Sequence, residues 1–327
     1  MEDKIFSVTE SGFEELALDI FHFQYRTNTV YQAWVNTVGI DASSVMRVNQ
    51  VPFLPINFFK THQVVSTGFE AEAIFESSGT TGMVSSRHFV RDLQLYRSAF
   101  LNGFGSFYGP PDQYCIIGLL PSYIERQNSS LVMMVNELIK ESRHAASGFY
   151  LDEHEALRQV LLENEKNSQP TIMIGVTFAL LDFAEKFEMQ LKNTIVMETG
   201  GMKGRRAELL REEVHEILKT RLGVDQVHSE YGMTELLSQA YSLRDGIFQP
   251  QRWMKVLARD AEDPMHILSL AGKESVKGAL NIIDLANIFS CSFIATDDLG
   301  TVFLNGEFSV DGRFDHTDLR GCSLLTV

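Results

Sequence analysis

The spacing of hydrophobic residues changes along the chain, and each change predicts a different kind of structure. Residues 12–38 repeat large apolar side chains at intervals of three and four, which predicts one or two amphipathic helices. Residues 51–60 (VPFLPINFFK) contain two prolines, which deny them a regular helix. The aromatic residues among them predict a tightly packed extended segment.

Farther along, short apolar runs alternate with helical patterns. The runs typical of buried strands are residues 114–120, 171–176, 194–198 and 224–229. Such alternation predicts a largely parallel sheet covered by helices. Beyond residue 248 short strand-like pieces follow, at 253–258, 278–284, 292–296, 301–304 and 307–310. We therefore predict an α/β fold with an α/β region at 1–248 and a smaller β-rich lobe at 249–327.

Composition and charge narrow the class of protein. The 327 residues are 44% hydrophobic and 22% charged, as in ordinary soluble globular proteins. The net charge of -15 disfavours a nucleic-acid partner, because affinity for a phosphate backbone comes largely from Lys and Arg. Residues 1–10 lack the pattern of a signal peptide, and no run approaches the ~18 apolar residues of a spanning helix. We expect a cytoplasmic protein without a membrane span.

The cysteines argue against two kinds of site. Cys115, Cys291 and Cys322 are odd in number and lie far apart, which disfavours both a disulfide framework and a thiolate zinc site. Such residues are mostly buried packing residues. Cys322 alone lies in a segment whose neighbours suggest chemistry.

A hydroxyl-rich loop is the first candidate for ligand binding. Within residues 75–82 (FESSGTTG), four hydroxyls and two glycines occupy consecutive positions: Ser77, Ser78, Gly79, Thr80, Thr81 and Gly82. The glycines permit positive φ angles, and the amides and hydroxyls can donate to phosphate oxygens. The same composition is also typical of a surface turn. The loop differs from the Walker motif, because no Gly-Lys-Ser/Thr closes it.

Three further segments follow in order: residues 231–235 (YGMTE), 296–300 (TDDLG) and 312–315 (GRFD). Together with the loop they resemble the motifs of the adenylate-forming superfamily of acyl-CoA synthetases, luciferases and peptide-synthetase adenylation domains. From about Val51 onward the chain is most similar to the acyl-protein synthetase subunits of bacterial bioluminescence fatty acid reductases. The segments that carry this similarity are VPFLPINFFKTH, ETGGMKGRR, HSEYGMTELLSQAY and RGCSLL.

The resemblance implies a site for ATP and Mg²⁺ in the 1–248 region. The loop from Ser77 to Gly82 would hold the phosphates, and Thr234 would contact the α-phosphate. Glu235 would hold Mg²⁺, since a hard cation prefers carboxylate and phosphate oxygens. For the nucleoside, the resemblance implies the following contacts: Tyr231 stacked on adenine, Gly200 and Gly201 shaping the adenine slot, Asp298 accepting from the ribose hydroxyls, and Arg313 near the same sugar.

The chain departs from the superfamily's pattern in two places. Met83 and Val84 stand where most members have Pro and Lys after the loop, so phosphate neutralisation would come from elsewhere, with Lys203, Arg205 and Arg206 as candidates. Typical members continue past the GRxD hinge into a mobile C-terminal domain, of roughly a hundred residues, that supplies a catalytic Lys. Since this chain ends at Val327, we expect that domain to be absent.

The resemblance also implies an acyl acceptor and an acid pocket. Cys322 in RGCSLL occupies the position of the cysteine that accepts the acyl group in the bioluminescence subunit, and Arg320 could lower its thiol pKa. A small buried cysteine is the alternative. Residues 121–131 (PSYIERQNSSL) fall where the superfamily lines its carboxylate and acyl pocket, so Tyr123, Ser129 and Ser130 are candidate substrate contacts.

The leading hypothesis is an AMP-forming ligase that activates a carboxylic acid, with a fatty acid as the favoured substrate. The ligase would transfer the acyl group to its own Cys322. A reductase or acyl-carrier protein would then receive the acyl group. An acyl-CoA ligase of the phenylacetate type is the first alternative, with coenzyme A as acceptor. The second alternative, from another class, is a catalytically weak nucleotide-binding scaffold.

Overall fold

The computed structural model describes residues 1–77, 84–121, 128–200 and 209–314. The α-helices in these residues are α1 (Glu2–Ile5), α2 (Glu10–Thr27), α3 (Thr29–Thr37), α4 (Phe58–Thr61), α5 (Leu93–Tyr108), α6 (Ser130–Ser142), α7 (His154–Lys166), α8 (Thr177–Lys186) and α9 (Arg211–Leu222). The strands are β1 (Leu54–Pro55), β2 (Ala73–Glu76), β3 (Arg87–Val90), β4 (Cys115–Leu119), β5 (Gly148–Phe149), β6 (Thr171–Gly175), β7 (Thr194–Glu198), β8 (Val227–Tyr231), β9 (Ala240–Ser242), β10 (Ile247–Phe248), β11 (Met254–Arg259), β12 (Ser275–Asp284), β13 (Phe293–Phe303), β14 (Phe308–Ser309) and β15 (Gly312–Arg313). In the described ranges, no helix combines the length and apolar composition that crossing a membrane requires.

Six strands form a largely parallel sheet in the order β5-β4-β6-β7-β8-β9, in which only β9 is antiparallel to its neighbour. Every residue of β4 and β6 is buried, as expected for strands with helices on both faces. The predicted strands at 114–120, 171–176 and 194–198 are confirmed. The fourth begins later than predicted, at Val227, because Gly223 ends α9 in the left-handed conformation and residues 224–226 connect it to the strand.

Helices lie on both faces of this sheet, as contacts to two successive residues of β8 show. His215 of α9 lies 3.4 Å from the hydroxyl of Ser229 (Nε2 to Oγ). On the opposite face, the hydroxyl of Tyr108 in α5 lies 3.1 Å from Nδ1 of His228. Since successive strand side chains point to opposite faces, α5 and α9 lie on opposite sides of β8. The prediction of a helix-covered parallel sheet is confirmed.

A second, mainly antiparallel sheet has the order β10-β14-β13-β12-β11, and β1 and β15 also pair with β13. Two separate strands were predicted at 292–296 and 301–304, and this is wrong, because β13 is continuous from Phe293 to Phe303. Its polar residues are satisfied inside the sheet: the hydroxyl of Thr296 and the guanidinium of Arg259 both donate to the Leu280 carbonyl. β1 and β10 come from residues before 249, and the division into regions at residue 248 stays a prediction.

The N-terminal residues pack against β13. Helices α2 and α3 confirm the predicted amphipathic segment, and they separate at Asn28, whose side chain accepts from the amides of Val30 and Tyr31. Tyr31 stacks against Phe293 of β13, with ring centroids 6.2 Å apart. In the segment 51–60 the extended prediction holds for β1, whereas one helical turn, α4, begins at Phe58, beyond the last proline.

Candidate active site

The candidate site lies where parallel strands of the six-stranded sheet end. Because β6, β7 and β8 run in the same direction, their carboxyl ends meet at one edge of the sheet. Ligands of open α/β sheets commonly bind at this edge. Tyr231 is the last residue of β8, and Gly200 follows β7 by two residues. Asp298 of the second sheet contacts Tyr231, so both sheets contribute to the site.

Three of the predicted nucleotide contacts form one chain of bonds. The Tyr231 hydroxyl donates to Oδ2 of Asp298 at 2.7 Å, and Nε of Arg313 lies 3.0 Å from Oδ1. Asp298 and Arg313 are register partners of β13 and β15. Asp298 is 5% exposed, whereas the Arg313 side chain is 66% exposed. The carboxylate is therefore fixed at both oxygens, with a cation between it and solvent.

The Tyr231 ring itself is largely buried. It packs against Phe248 and Phe308, with ring centroids 5.7 Å and 5.4 Å away. Burial, followed by the charge of Asp298, raises the pKa of its hydroxyl well above the ordinary value, so Tyr231 remains a donor at physiological pH. Stacking of Tyr231 on adenine stays a prediction.

Glu235 is linked to the base of the hydroxyl-rich loop. The Ser86 hydroxyl bonds to the Glu235 carboxylate. Ser86 in turn forms a reciprocal pair with Ser77: the Ser86 amide donates to Ser77 Oγ at 2.9 Å, and the Ser77 amide donates to the Ser86 carbonyl at 3.0 Å. This pair continues the hydrogen bonding between β2 and β3 by one residue on each strand. Ser77 and Ser86, which lie on either side of residues 78–83, are therefore bonded to each other close to Glu235.

The charge state of Glu235 reflects a balance of opposing effects. Burial raises the pKa of its carboxyl, and the Ser86 hydroxyl together with the charges of Arg313 and Lys60 offsets part of the rise. The described residues contain no group of three or more His, Cys, Asp or Glu side chains that could hold a metal ion on their own. A single carboxylate fits Mg²⁺ that is bound mainly through substrate phosphates and water.

The backbone of Thr234 and Glu235 is held by buried side chains. His88 Nδ1 lies 2.8 Å from the Thr234 carbonyl, and its Nε2 lies 3.0 Å from Oδ1 of Asn287. Asn287 Nδ2 donates to the Glu235 carbonyl at 2.7 Å. Burial lowers the pKa of His88 to about 4, so the ring is neutral at pH 7 and donates to one of these two oxygens. These contacts hold the backbone of Thr234 and Glu235, the two residues that the motif resemblance assigns to the α-phosphate and Mg²⁺.

Gly200 is placed where the adenine slot is predicted. It adopts a φ of +74°, which favours glycine, and its amide donates to Oε1 of Glu198 at 2.8 Å. The hydroxyl of Thr177 donates to the same oxygen. A Cβ added at Gly200 meets none of the described atoms within 4 Å.

The candidate acid-pocket serines lie at the start of α6. Ser129 caps the helix, with its hydroxyl accepting from the Val132 amide at 3.4 Å. The Ser130 carbonyl accepts from the Tyr96 hydroxyl at 2.9 Å. The preceding Asn128 carbonyl accepts from the Glu76 amide at 2.9 Å, next to the hydroxyl-rich loop. The serines therefore lie close to the loop, and their contact with substrate stays a prediction.

The other predicted site residues lie outside the described residues. These are Ser78, Gly79, Thr80, Thr81, Gly82, Tyr123, Gly201 and Cys322. The candidate cations Lys203, Arg205 and Arg206 lie outside them as well.

Sequence reasoning missed Glu230, which immediately precedes Tyr231. It is 8% exposed, and its neighbours on β8 are also buried or half-buried. Burial, followed by the charge of Glu198, raises the pKa of its carboxyl from an ordinary value of 4.5 to about 8. The predicted strand ended at residue 229, so nothing in the sequence pattern marked Glu230 as buried.

The Glu230 carboxyl predicts a pH dependence of stability. Between pH 4.5 and about 8 the folded state holds a proton at Glu230 that the unfolded state has lost, so this residue lowers the free energy of unfolding as pH rises. Glu230→Gln removes the titration. The free energies of unfolding of the two proteins should differ least below pH 4.5. As pH rises toward 8, the variant should become more stable relative to the wild type. Urea unfolding at pH 4.5, 6 and 8 measures the difference, and a gap that narrows with pH would contradict the prediction.

Comparisons with known proteins give a match of structure. No protein-family model matches the chain, and no curated protein matches it. The chain superimposes on 2-hydroxyisobutyryl-CoA ligase in the postadenylation state, in complex with R3-HIB-AMP, with a TM-score of 0.67 and 10% identity, over 96% of this chain and 70% of the ligase. An open conformation of the same ligase, in complex with 2-HIB-AMP and CoA, gives a TM-score of 0.66 and 11% identity, over 94% of this chain and 70% of the ligase.

At this level of identity the similarity establishes the fold. The chain has the α/β fold of this ligase, with a largely parallel sheet and an antiparallel β-rich part. The predicted α/β fold class is confirmed.

Proposed function

We propose that the chain binds ATP and activates a carboxylic acid as an acyl-adenylate, with release of pyrophosphate. The observation that carries the proposal is the meeting of two bonded chains at one sheet edge. One runs from Tyr231 through Asp298 to Arg313, and the other runs from Ser77 through Ser86 to Glu235. Arg313 acts on the pKa of Glu235 and also pairs with Asp298, so its charge links the two.

The residues present fit an adenine nucleotide and its metal. The buried Asp298 carboxylate is held in one orientation, and its remaining lone pairs can accept from ribose hydroxyls. Glu235 would hold Mg²⁺, whose charge offsets that of the phosphates. The adenine base would lie beside Gly200, where an added Cβ meets none of the described atoms within 4 Å.

In the proposed reaction a carboxylate oxygen of the acid attacks the α-phosphorus of ATP. A new oxygen–phosphorus bond forms, the bond from the α-phosphorus to the oxygen bridging to the β-phosphate breaks, and pyrophosphate leaves. Arg313 and the loop donors would stabilise the charge that develops in this step. The fixed strip at Thr234 and Glu235 would orient the phosphates, since holding the reacting groups in place removes much of the entropic barrier.

The proposed second step transfers the acyl group to the thiol of Cys322. The thiolate attacks the acyl carbon, a carbon–sulfur bond forms, and AMP leaves with the oxygen of the broken anhydride bond. A reductase or acyl-carrier protein would then accept the acyl group. Transfer to coenzyme A is the alternative. The ligase of the same fold has been crystallised with 2-HIB-AMP and CoA together, so this fold can accommodate that pair.

Acid-dependent exchange of labelled pyrophosphate into ATP tests the first step. The wild type should catalyse exchange with at least one acid from a panel of fatty, aromatic and substituted acids. Asp298→Asn should raise the KM for ATP by about 10- to 100-fold, the factor expected when a hydrogen bond to a charged group is weakened. Asp311→Asn is the matched control, because this half-exposed carboxylate pairs with Lys277 instead. Absence of exchange with every acid would favour the nucleotide-binding scaffold.

A further inference from the structure

A buried polar cluster lies on the α5 side of the β8–β9 pair. Glu230 of β8 is the register partner of Tyr241 in β9, so their side chains share one face. Gln239 precedes Tyr241 by two residues and therefore lies on that face as well. Glu230, Gln239 and Tyr241 are 8%, 5% and 1% exposed. We call these three residues the acceptor cluster.

The acceptor cluster lies next to Gly232, which belongs to the motif at residues 231–235. A Cβ added at Gly232 would collide with Oε1 of Glu230 and would lie 3.4 Å from Cγ of Gln239. Glycine at this position therefore leaves room for the Glu230 carboxylate directly beside the residues assigned to the phosphates. The cluster and the proposed adenylation site are neighbours.

Polar atoms of the acceptor cluster lack partners among the described residues. Gln239 Oε1 and the Tyr241 hydroxyl are buried without a hydrogen bond there. The amide nitrogen of Gln239 donates to the Leu237 carbonyl at 3.4 Å, which leaves its oxygen to accept from elsewhere. Buried polar groups in folded proteins are almost always satisfied, so two unpaired groups in one place indicate a partner outside the described side chains.

Neighbouring hydroxyls cannot fill this need, because they are already engaged. The Tyr96 hydroxyl donates to the Ser130 carbonyl at 2.9 Å. The Tyr108 hydroxyl lies 3.1 Å from His228 Nδ1. Burial raises the pKa of both tyrosine hydroxyls, and the nearby Glu230 carboxyl raises it further. The missing partner must therefore come from outside this group of side chains.

The surroundings connect the acceptor cluster to the candidate acid pocket. Tyr96 lies close enough to Glu230 to sense its charge and also bonds to Ser130, at the start of α6. Glu230 and Ser130 are thus near the same tyrosine. An acid with its carboxylate near the α-phosphate would extend its remaining atoms toward this region.

We propose that the acid activated by this chain carries a hydroxyl or amino group, and that Glu230, Gln239 and Tyr241 accept hydrogen bonds from it. The inference rests on the proposed adenylation activity and names its substrate class. Gln239 Oε1 can only accept, so a ligand that bonds to it must donate. An unsubstituted alkyl chain would leave these groups buried and unpaired, at a cost in binding free energy. This differs from the plain fatty acid that the sequence resemblance favours.

The test compares acids that share one carbon skeleton. Pyrophosphate–ATP exchange is measured for unsubstituted straight-chain acids and for their hydroxy and amino derivatives, substituted at each position in turn. At least one substituted acid should exceed its parent in kcat/KM by about 100-fold or more, because sites built to bind a donor reject analogues that lack it. Parents that equal or exceed all their derivatives would overturn the proposal. Failure of every acid would instead overturn the adenylation activity.

Two variants assign the effect to the acceptor cluster. Glu230→Leu should reduce the ratio of kcat/KM for the substituted acid to kcat/KM for its parent. Tyr108→Phe is the matched control, because its hydroxyl contacts His228, and it should retain the preference. Glu230→Gln separates the two donors. An acid with a hydroxyl group should still be preferred over its parent. An acid with an amino group should lose its preference, because its ammonium would favour the ionised form of Glu230, which glutamine cannot provide. A preference that survives Glu230→Leu in a protein with an unchanged melting temperature would contradict the assignment.

Discussion

Glu235→Gln is expected to lower acid-dependent pyrophosphate exchange by about 100- to 1,000-fold, the loss that accompanies removal of one group aimed at transition-state charge. The substitution removes the charge that would hold Mg²⁺ but keeps an oxygen that can accept from the Ser86 hydroxyl. The fold should therefore be preserved. Because burial raises the pKa of this carboxyl, replacing it with a neutral amide should not reduce the melting temperature.

Glu76→Gln is a suitable control for this experiment. Glu76 is an exposed carboxylate at the end of β2, and its side chain accepts only a long contact of 3.5 Å from Asn128. Exchange activity should remain near that of the wild type. A Glu235→Gln protein with unchanged exchange and an unchanged Mg²⁺ requirement would remove Glu235 from the proposed mechanism.

The second large effect concerns the acyl acceptor. Cys322→Ser is expected to abolish covalent labelling by radioactive acid in the presence of ATP, while pyrophosphate exchange continues. The other two cysteines are poor candidates for the nucleophile, because both are buried and free. Burial raises the pKa of the Cys291 thiol to about 12 and also raises that of Cys115, so neither is a thiolate at neutral pH.

The labelling experiment separates the possible acceptors. Cys115→Ala should retain the label, and release of the label by neutral hydroxylamine would identify a thioester. A Cys322→Ser protein that still acquires the label at another residue would contradict the assignment. Wild-type protein that remains unlabelled, but forms acyl-CoA when coenzyme A is added, would establish the alternative acceptor.

The strands that the sequence predicts best are those with the simplest environment. β4, β6 and β7 are continuous apolar runs because helices cover both of their faces, so composition alone marks them. The pattern fails in β13, where residues 297–300 (DDLG) look like a break between two strands. Polar side chains in and beside this stretch find partners on other strands: Asp298 pairs with Arg313 of β15, and the Thr296 hydroxyl donates to the Leu280 carbonyl. Such long-range partners are invisible to a local pattern.

The candidate site divides in a similar way. The motif resemblance identified Tyr231, Asp298 and Arg313, and the structure brings these three together. Ser86 and Glu230 escaped notice, because a serine beside a loop and a glutamate between two polar residues look like solvated positions. Only the packing of α5 and of the β2–β3 pair shows that they are buried. The residues that motif analysis cannot find are those that support the motif from neighbouring elements.

The pairing of β15 with β13 also limits the distance of Cys322 from the candidate site. Arg313 is anchored to Asp298 by backbone register and by its side chain, and Cys322 follows nine residues later. Nine residues span at most about 30 Å when fully extended. The thiol proposed to accept the acyl group can therefore lie no farther than this from Arg313, the residue that pairs with Asp298.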